Sequence, residues 1–589
     1  MTNRTKSDPL RRWRGPLACA AVLAFGSALY FSGLRHNPPG FFLDESSIAF
    51  NAHTISQSGR DEYGVAWPLY FRAFGEFKNP VYIYLLALLF RLTGPSILVA
   101  RCLSATAGLA TVTVLGVLAA RVTGRRAVGL FVAVSAMLTP WLFELSRVVF
   151  EVALYPLALA LFFLCLHSAA QKAEWSWRDT IPLATTLGLL TYTYSIGRLL
   201  APLLALGLLL FIQRVGWSSV LPAWGLYVLT LVPVVVFNSR HPGALTGRFS
   251  LITYLTPGNS PGEIALGFLK HYAANVNPWR LLITGDPNYY QMAHVQGAEL
   301  MLAATFLLAA AGAWVVLRGG RPEAWWAFVL YGLAASAVPA SLTKESFHML
   351  HLAPVPVFLI ILTAPSLDWL LAGKRYRRAA LIVLAAATLA QGAVFQWQYH
   401  ASASSPRRRH LFDAEYSQKI LEPALARKQT PIYLADALGI PGYINAYWYA
   451  TLRGFDLSLF TKLPAEVSPP TGALVISTRE SWPGCEILSR IEPYALCVTR
   501  APPRLPEPLS NNSSGPQIEK PDPPAILGQP EKISLVKTFA VIQPGNVSAP
   551  HRKLPGCSPR FAATRISPPA SVRQLQVSRV RVPDLLVRK

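Results

Sequence analysis

Asp44 and Glu45 stand side by side in the stretch NPPGFFLDESSIAFNAHTISQ and are its only carboxylates. Adjacent carboxylates point in different directions on a helix, so one of the two faces a neighbouring cavity and the other does not. A partly desolvated carboxylate suits a general base acting on a hydroxyl. The competing role is a helix cap, because acidic groups favour the first turn. Spacing alone leaves both roles open.

Further along, EFKNP carries Lys78, placed either to bind a phosphate or to snorkel into lipid headgroups. Arg147 and Glu151 in SRVVFEVALYP are four apart, a spacing that lets a helix pair them, and charges beside an apolar run are costly unless paired or functional. TYTYSIGR adds Tyr192, Tyr194 and Arg198, and NSRHPGALTGRF adds Arg240, His241 and Arg248. TGDPNYYQ supplies Asp286 and Tyr289, and SLTKESFHMLH supplies Lys344, Glu345, His348 and His351. Several cations gathered from separate segments suit an anionic substrate. His348 and His351 are three apart, but two histidines are too few for a metal site, so no cofactor is expected and a divalent metal is not favoured. The chain lacks a Walker A loop, a GxGxxG after a strand, HExxH and GxSxG, which argues against chemistry driven by a cytoplasmic nucleotide.

These groups need a scaffold, and composition says which. The 589 residues are 52% apolar and 14% charged, against about 25% charged in soluble domains. Apolar stretches such as LPAWGLYVLTLVPVVVF are long enough to cross a bilayer as helices. The net charge of +24 resides in short basic clusters between apolar segments, the pattern that orients membrane proteins rather than one that binds nucleic acid. The expected spans are roughly 16–34, 95–120, 127–144, 149–170, 180–195, 199–213, 219–237, 297–317, 323–341, 350–371 and 379–397, about eleven in all. The first follows basic residues but lacks a small-residue cleavage site, so it reads as an uncleaved span.

PVYIYLLALLF is too short to span comfortably. With 80–93 set aside as a juxtamembrane helix on the outer surface, the basic loops fall on the side of the N-terminal arginines. Those loops hold Arg121/Arg125/Arg126, Lys172/Arg178, Arg214, Arg318/Arg321 and Lys374/Arg375/Arg377/Arg378. The organisation that follows is a cytoplasmic N-terminus (1–14) and an all-α polytopic membrane domain (15–397) whose first outer loop is 35–94. A small extracytoplasmic α/β domain (398–500) and a Pro-rich basic tail (501–589), expected to be disordered, complete it. The candidate chemical groups then share the outer face of the cell inner membrane. Cys485 and Cys497 bracket a short polar segment and would pair in that compartment.

The ordered blocks PPGFFLDESSIAFNA, GVAWPLYF, FKNPVYIYLLALLFRLTG, ARCLSA and TPWLFELSRVVFEVALYP, with later GDPN and TKESFHMLHLAP segments, carry a resemblance over about residues 35–365. They resemble the bacterial membrane glycosyltransferases of the GT-C fold, the group that includes protein O-mannosyltransferases and the aminoarabinose transferase of lipid A. The resemblance implies transfer of a sugar from a polyprenyl-phosphate donor to a protein, lipid or glycan acceptor. It implies Asp44 as catalytic base, Glu45 as its assistant, Lys78 on the carrier phosphate, and Arg147 and Glu151 near the site. Arg240, Arg248, Lys344 and His348 complete the implied substrate and phosphate contacts, and the family often has Arg where this chain has His351. No nucleic-acid partner is implied. A transporter or flippase of lipid-linked sugars is the alternative, which would favour internal repeats and charges near the bilayer midplane.

Overall fold

The computed structural model describes residues 9–464, 467–479 and 484–500, all within one compact unit. The expected tail at 501–589 and residues 1–8 of the N-terminal segment lie outside the described residues.

Helices dominate the first four hundred residues. α1 (Pro9–Phe31) leads into α2 (Leu43–Ser58), and a two-stranded hairpin, β1 (Phe71–Ala73) and β2 (Glu76–Lys78), precedes α3 (Pro80–Thr93). Then come α4 (Ile97–Thr123), α5 (Arg126–Leu138), α6 (Pro140–Leu145), α7 (Tyr155–Ala170), α8 (Trp177–Thr193), α9 (Gly197–Gly207), α10 (Ile212–Val215) and α11 (Trp217–Arg240). The loop beyond carries α12 (Gly247–Ile252) and α13 (Pro261–Asn275), and α14 (Ala303–Leu317), α15 (Ala324–Ser336), α16 (Val355–Leu371) and α17 (Arg375–Ala401) complete the bundle.

Among the described residues, six helical segments are long and apolar enough to cross a membrane: Ile97–Thr123, Glu151–Ala170, Gly197–Val215, Trp217–Arg240, Ala324–Leu342 and Arg375–Ser404. Shorter apolar helices cover Gly15–Phe31, Pro80–Thr93, Arg126–Leu138, Ala303–Leu317 and Val355–Leu371. The segment expected at 180–195 forms α8, which is in neither group. The protein is thus a multi-pass, mostly helical membrane protein. Small residues let its helices close up: a Cβ on Gly116 of α4 would sit 2.8 Å from the Gly129 carbonyl of α5.

After α17 the chain changes character. α18 (Pro406–Leu411) and α19 (Glu422–Ala426) lead into β3 (Ile432–Ala435), α20 (Tyr443–Leu452), β4 (Phe460–Lys462), β5 (Leu474–Ser477), β6 (Cys485–Ile491) and β7 (Tyr494–Thr499). The strands form one mixed sheet in the order β4-β3-β5-β7-β6, with β3 parallel to both β4 and β5 and β7 antiparallel to β5 and β6. A disulfide joins Cys485 to Cys497 across β6 and β7.

This sheet module is packed onto the first loop. Trp448 of α20 is fully buried and stacks on Phe41 and on Phe90 of α3. Beneath it, Ser46 of α2 donates to Asn445 Oδ1 at 2.6 Å, and Asn445 Nδ2 donates to Asp413 at 2.8 Å and to the Tyr494 hydroxyl at 2.9 Å. A buried polar network of this kind holds its elements in one register because each member would be costly to leave unpaired.

Candidate active site

The chemistry-bearing residues converge because three local devices aim them. The first is the start of α2. Glu45 Oε2 accepts the Phe42 N–H at 2.9 Å, capping the helix, while Oε1 accepts the Val149 N–H at 2.8 Å. Arg101 stands 3.9 Å away and both side chains are 1% exposed. Burial pushes the Glu45 carboxyl upward, and Arg101 and the two N–H donors hold it part of the way down. Glu45 is therefore committed to structure, which leaves Asp44, one position earlier, to face the cavity.

The second device is the β1–β2 hairpin. Its two-residue turn, Phe74-Gly75, has positive φ at both positions, the geometry whose twist matches paired strands. Glu76 and Lys78 are two apart on β2 and so share a face. Lys78 Nζ meets Asp44 Oδ1 at 2.5 Å, the lysine 3% and the aspartate 22% exposed. Burial alone would lower the Lys78 ammonium, but Asp44, Glu151 and Glu76 together raise it above the ordinary lysine range. It stays charged at any physiological pH.

The third device is the break after α6. Phe150 is extended, so the helix that would have placed Arg147 and Glu151 on one face does not exist there. The expected ion pair between them is absent. Arg147 turns inward and donates to the carbonyls of Tyr30, Ser32 and Asn37 at 2.8 to 2.9 Å, tying down the chain after α1. Glu151 faces the cavity instead and accepts from the Asn79 backbone N–H and from Asn79 Nδ2.

These groups line a cavity of about 670 Å³. Of the residues singled out from sequence, Asp44, Lys78, Glu151, Tyr194, Arg198, Arg248, His348 and His351 reach it. Glu45 and Arg147 are sealed beside it, Arg240 is exposed at the end of α11, and Lys344 is exposed with Nζ 3.4 Å from the Leu251 carbonyl. Arg248 on α12 pairs with Glu76 at 3.4 Å across the wall. Arg198 donates to Asn79 Oδ1 at 3.1 Å and to the Leu245 carbonyl at 2.8 Å, bringing a further cation. Asn79 and Glu76 were not singled out from sequence. Asn79 precedes a proline at a helix start, and Glu76 sits two residues before Lys78, and those are the signals that mark them.

The far wall is held from behind. Asp286 accepts the N–H groups of Asn288 and Met349, both at 2.9 Å, which fixes the 288–292 and 348–351 segments to each other. Gly285 has φ +63 and could not carry a Cβ, which would meet His294 Nε2 at 2.1 Å. Arg407 donates to the carbonyls of Tyr289, Gln291 and His294. Among the described residues no group of three or more His, Cys, Asp or Glu is arranged to hold a metal ion.

The arrangement gathers three cations, Lys78, Arg198 and Arg248, beside a carboxylate open to the cavity. Compared with solved structures, the chain matches ArnT from Cupriavidus metallidurans bound to undecaprenyl phosphate. The TM-score is 0.52 at 14% identity, over 81% of this chain and 97% of that one. The chain has the GT-C fold. The apo state of the same ArnT aligns equally well, TM-score 0.52 over 83% of this chain and 98% of that one, again at 14% identity. The oligosaccharyltransferase AglB from Archaeoglobus fulgidus aligns with a TM-score of 0.43 at 13% identity, over 77% of this chain and 65% of that one. No family model matches the sequence, and no curated protein matches it. The GT-C likeness is therefore one of fold, carried by an architecture that covers almost the whole ArnT chain.

Proposed function

We propose that this protein is a membrane glycosyltransferase that takes a sugar from a polyprenyl-phosphate donor and gives it to an acceptor on the extracytoplasmic face of the cell inner membrane. The observation that carries this reading is the Asp44–Lys78 pair, a carboxylate and an ammonium in contact on one cavity wall with Arg198 and Arg248 nearby. In the reaction, the lipid phosphate binds Lys78 and the arginines, which stabilise the charge that develops as it departs. Asp44 takes the proton of the acceptor hydroxyl as its oxygen attacks the anomeric carbon, a contribution of roughly 10²–10⁴ in rate. Glu45 assists by holding the first turn of α2 in place. The fold of ArnT, whose structure was solved with undecaprenyl phosphate, supports a lipid-phosphate donor. The Cys485–Cys497 disulfide supports an oxidising compartment for the sheet module, and the pattern of basic clusters between apolar segments supports a cavity on the same side.

The test is transfer from a labelled polyprenyl-phosphate sugar by the full chain in membranes, comparing wild type with Asp44→Asn. The reading requires donor cleavage by the wild type and its loss in the variant. Undiminished transfer by the variant, or no cleavage of any such donor by the wild type, overturns it.

A further inference from the structure

The charged groups of the cavity are largely spoken for. Asp44 is paired with Lys78 and Glu76 with Arg248, Glu151 accepts from Asn79, and Arg198 donates to Asn79 and Leu245. His348 is engaged as well. Its Nδ1 accepts the Leu350 N–H at 3.3 Å, so Nε2 carries the proton and points to Glu345 Oε2 at 3.4 Å.

His351 differs. It lines the same cavity, and its ring lies against that of His348, centroids 4.2 Å apart and planes 19° from parallel. Neither of its ring nitrogens has a hydrogen-bond partner among the described residues, and Nδ1 is sealed from solvent. A sealed acceptor without a partner is better tolerated than a sealed donor. The proton therefore belongs on Nε2, which leaves one neutral N–H to offer the cavity.

We propose that His351 is the sugar-recognition residue of this cavity, donating Nε2–H to a hydroxyl oxygen of an uncharged sugar on the donor lipid, with His348 positioning its ring. This rests on the donor reading given above and adds the class of sugar to it. The charge around the stack supports the choice. Burial and then Arg248 depress the His348 imidazole to about 4, so that ring is neutral at physiological pH. Glu345 lies 3.4 Å from His348 Nε2, and Asp286, the carboxylate that acts on His351, already accepts the Asn288 and Met349 N–H groups. A sugar carrying an ammonium would be desolvated beside Arg248 with both of these carboxylates already engaged, whereas a hydroxyl meets a matching N–H. A phosphate is better served by Lys78 and Arg198, which gather beside Asp44 and Asn79. A site built to bond a substrate hydroxyl discriminates strongly because its own donor is left unpaired when that hydroxyl is missing.

The experiment measures binding to the full chain in nanodiscs. The probes are undecaprenyl phosphate alone, the same lipid carrying mannose, glucose or galactose, and the same lipid carrying aminoarabinose. One of the neutral hexosyl lipids is expected to bind more tightly than the sugar-free lipid. His351→Leu removes that advantage, about tenfold, while the Kd for undecaprenyl phosphate stays within twofold. His351→Gln, which keeps an N–H donor, retains most of it, and the unchanged sugar-free Kd shows that both variants are folded. Equal losses for sugar-bearing and sugar-free lipid place His351 on the phosphate and overturn the inference alone. So does an unaltered hexosyl affinity in His351→Leu, or an aminoarabinose lipid whose binding is the one that depends on His351. Failure of the wild type to bind any of these lipids removes the donor reading together with this inference.

Discussion

Asp44 and Lys78 touch at 2.5 Å, joining the first turn of α2 to the end of β2 across the cavity wall. Lys78 is sealed, with the rings of Phe74 and Phe150 at 5.4 and 5.7 Å from its ammonium, and Asp44 keeps access to the cavity. On the proposed reading, an incoming lipid phosphate would compete with Asp44 for the same ammonium, so that donor binding and release of the carboxylate would be one event. Lys78→Met keeps the stem and removes the charge. Donor affinity is expected to fall more than tenfold, which corresponds to over about 1.4 kcal/mol. Titration of undecaprenyl phosphate onto the purified variant measures it, and an unchanged Kd would take Lys78 out of the phosphate site.

Glu45 and Asp44 should separate cleanly by experiment. Glu45 accepts two backbone N–H groups and faces Arg101 in a sealed setting, so Glu45→Gln leaves one backbone donor without its acceptor and strips the countercharge from a buried guanidinium that keeps its bonds to the Leu34, Pro38 and Gly40 carbonyls. Breaking a buried pair from one side costs about 3 kcal/mol. The expected outcome is a lowered melting temperature, with activity per folded molecule reduced far less than in Asp44→Asn. A Glu45→Gln protein that melts like the wild type yet transfers no sugar would make Glu45 a direct participant.

Part of this was readable from the chain. The helix expected at 80–93 is α3, because Asn79-Pro80 starts it and Gly94 stops it, both local signals. The cations Arg198 and Arg248 were visible as residue types, and two of the cavity's carboxylates were named. What stayed hidden depends on partners distant in sequence. The choice between Asp44 and Glu45 is made by Val149 and Arg101, more than fifty residues away. The Arg147–Glu151 spacing presupposed an unbroken helix, and the extended backbone at Phe150 undoes it. The same holds for Arg240 and Lys344, whose loops could be assigned to a side of the membrane but not to a distance from the cavity.

The disulfide between Cys485 and Cys497 spans 12 residues and ties β6 to β7 at one edge of the sheet. A cross-link over a loop of that size is worth about 3 kcal/mol to the folded state. Alkylation of the denatured protein should therefore label two more cysteines after reduction than before it. The double substitution Cys485→Ser/Cys497→Ser should melt at a lower temperature. Equal labelling with and without reduction would mean that the two thiols are free in the cell, and would weaken the extracytoplasmic placement of the module.

Asp413 gives the sheet module a pH dependence whose sign can be worked out. Its carboxyl is buried, and burial raises it to about 7 despite the hydrogen bonds it accepts from Tyr494 and Asn445. In the unfolded chain an aspartate titrates near about 3.9. The folded state therefore holds the proton more tightly across that window. The stabilising contribution is complete below the unfolded value and is lost as pH rises through the folded one. Both recorded donors reach Oδ2, so the proton sits on Oδ1, and an amide in Asp413→Asn mimics the protonated acid without titrating. Thermal melts of wild type and variant from pH 5 to pH 8 should diverge, the wild type losing stability relative to Asp413→Asn as pH rises. Because Asn445 also receives the Ser46 hydroxyl from the helix that carries Asp44, transfer activity measured over the same range should fall more steeply in the wild type. Parallel melting curves for the two proteins would show that Asp413 is ionised in the folded state and that the network is held by charge instead.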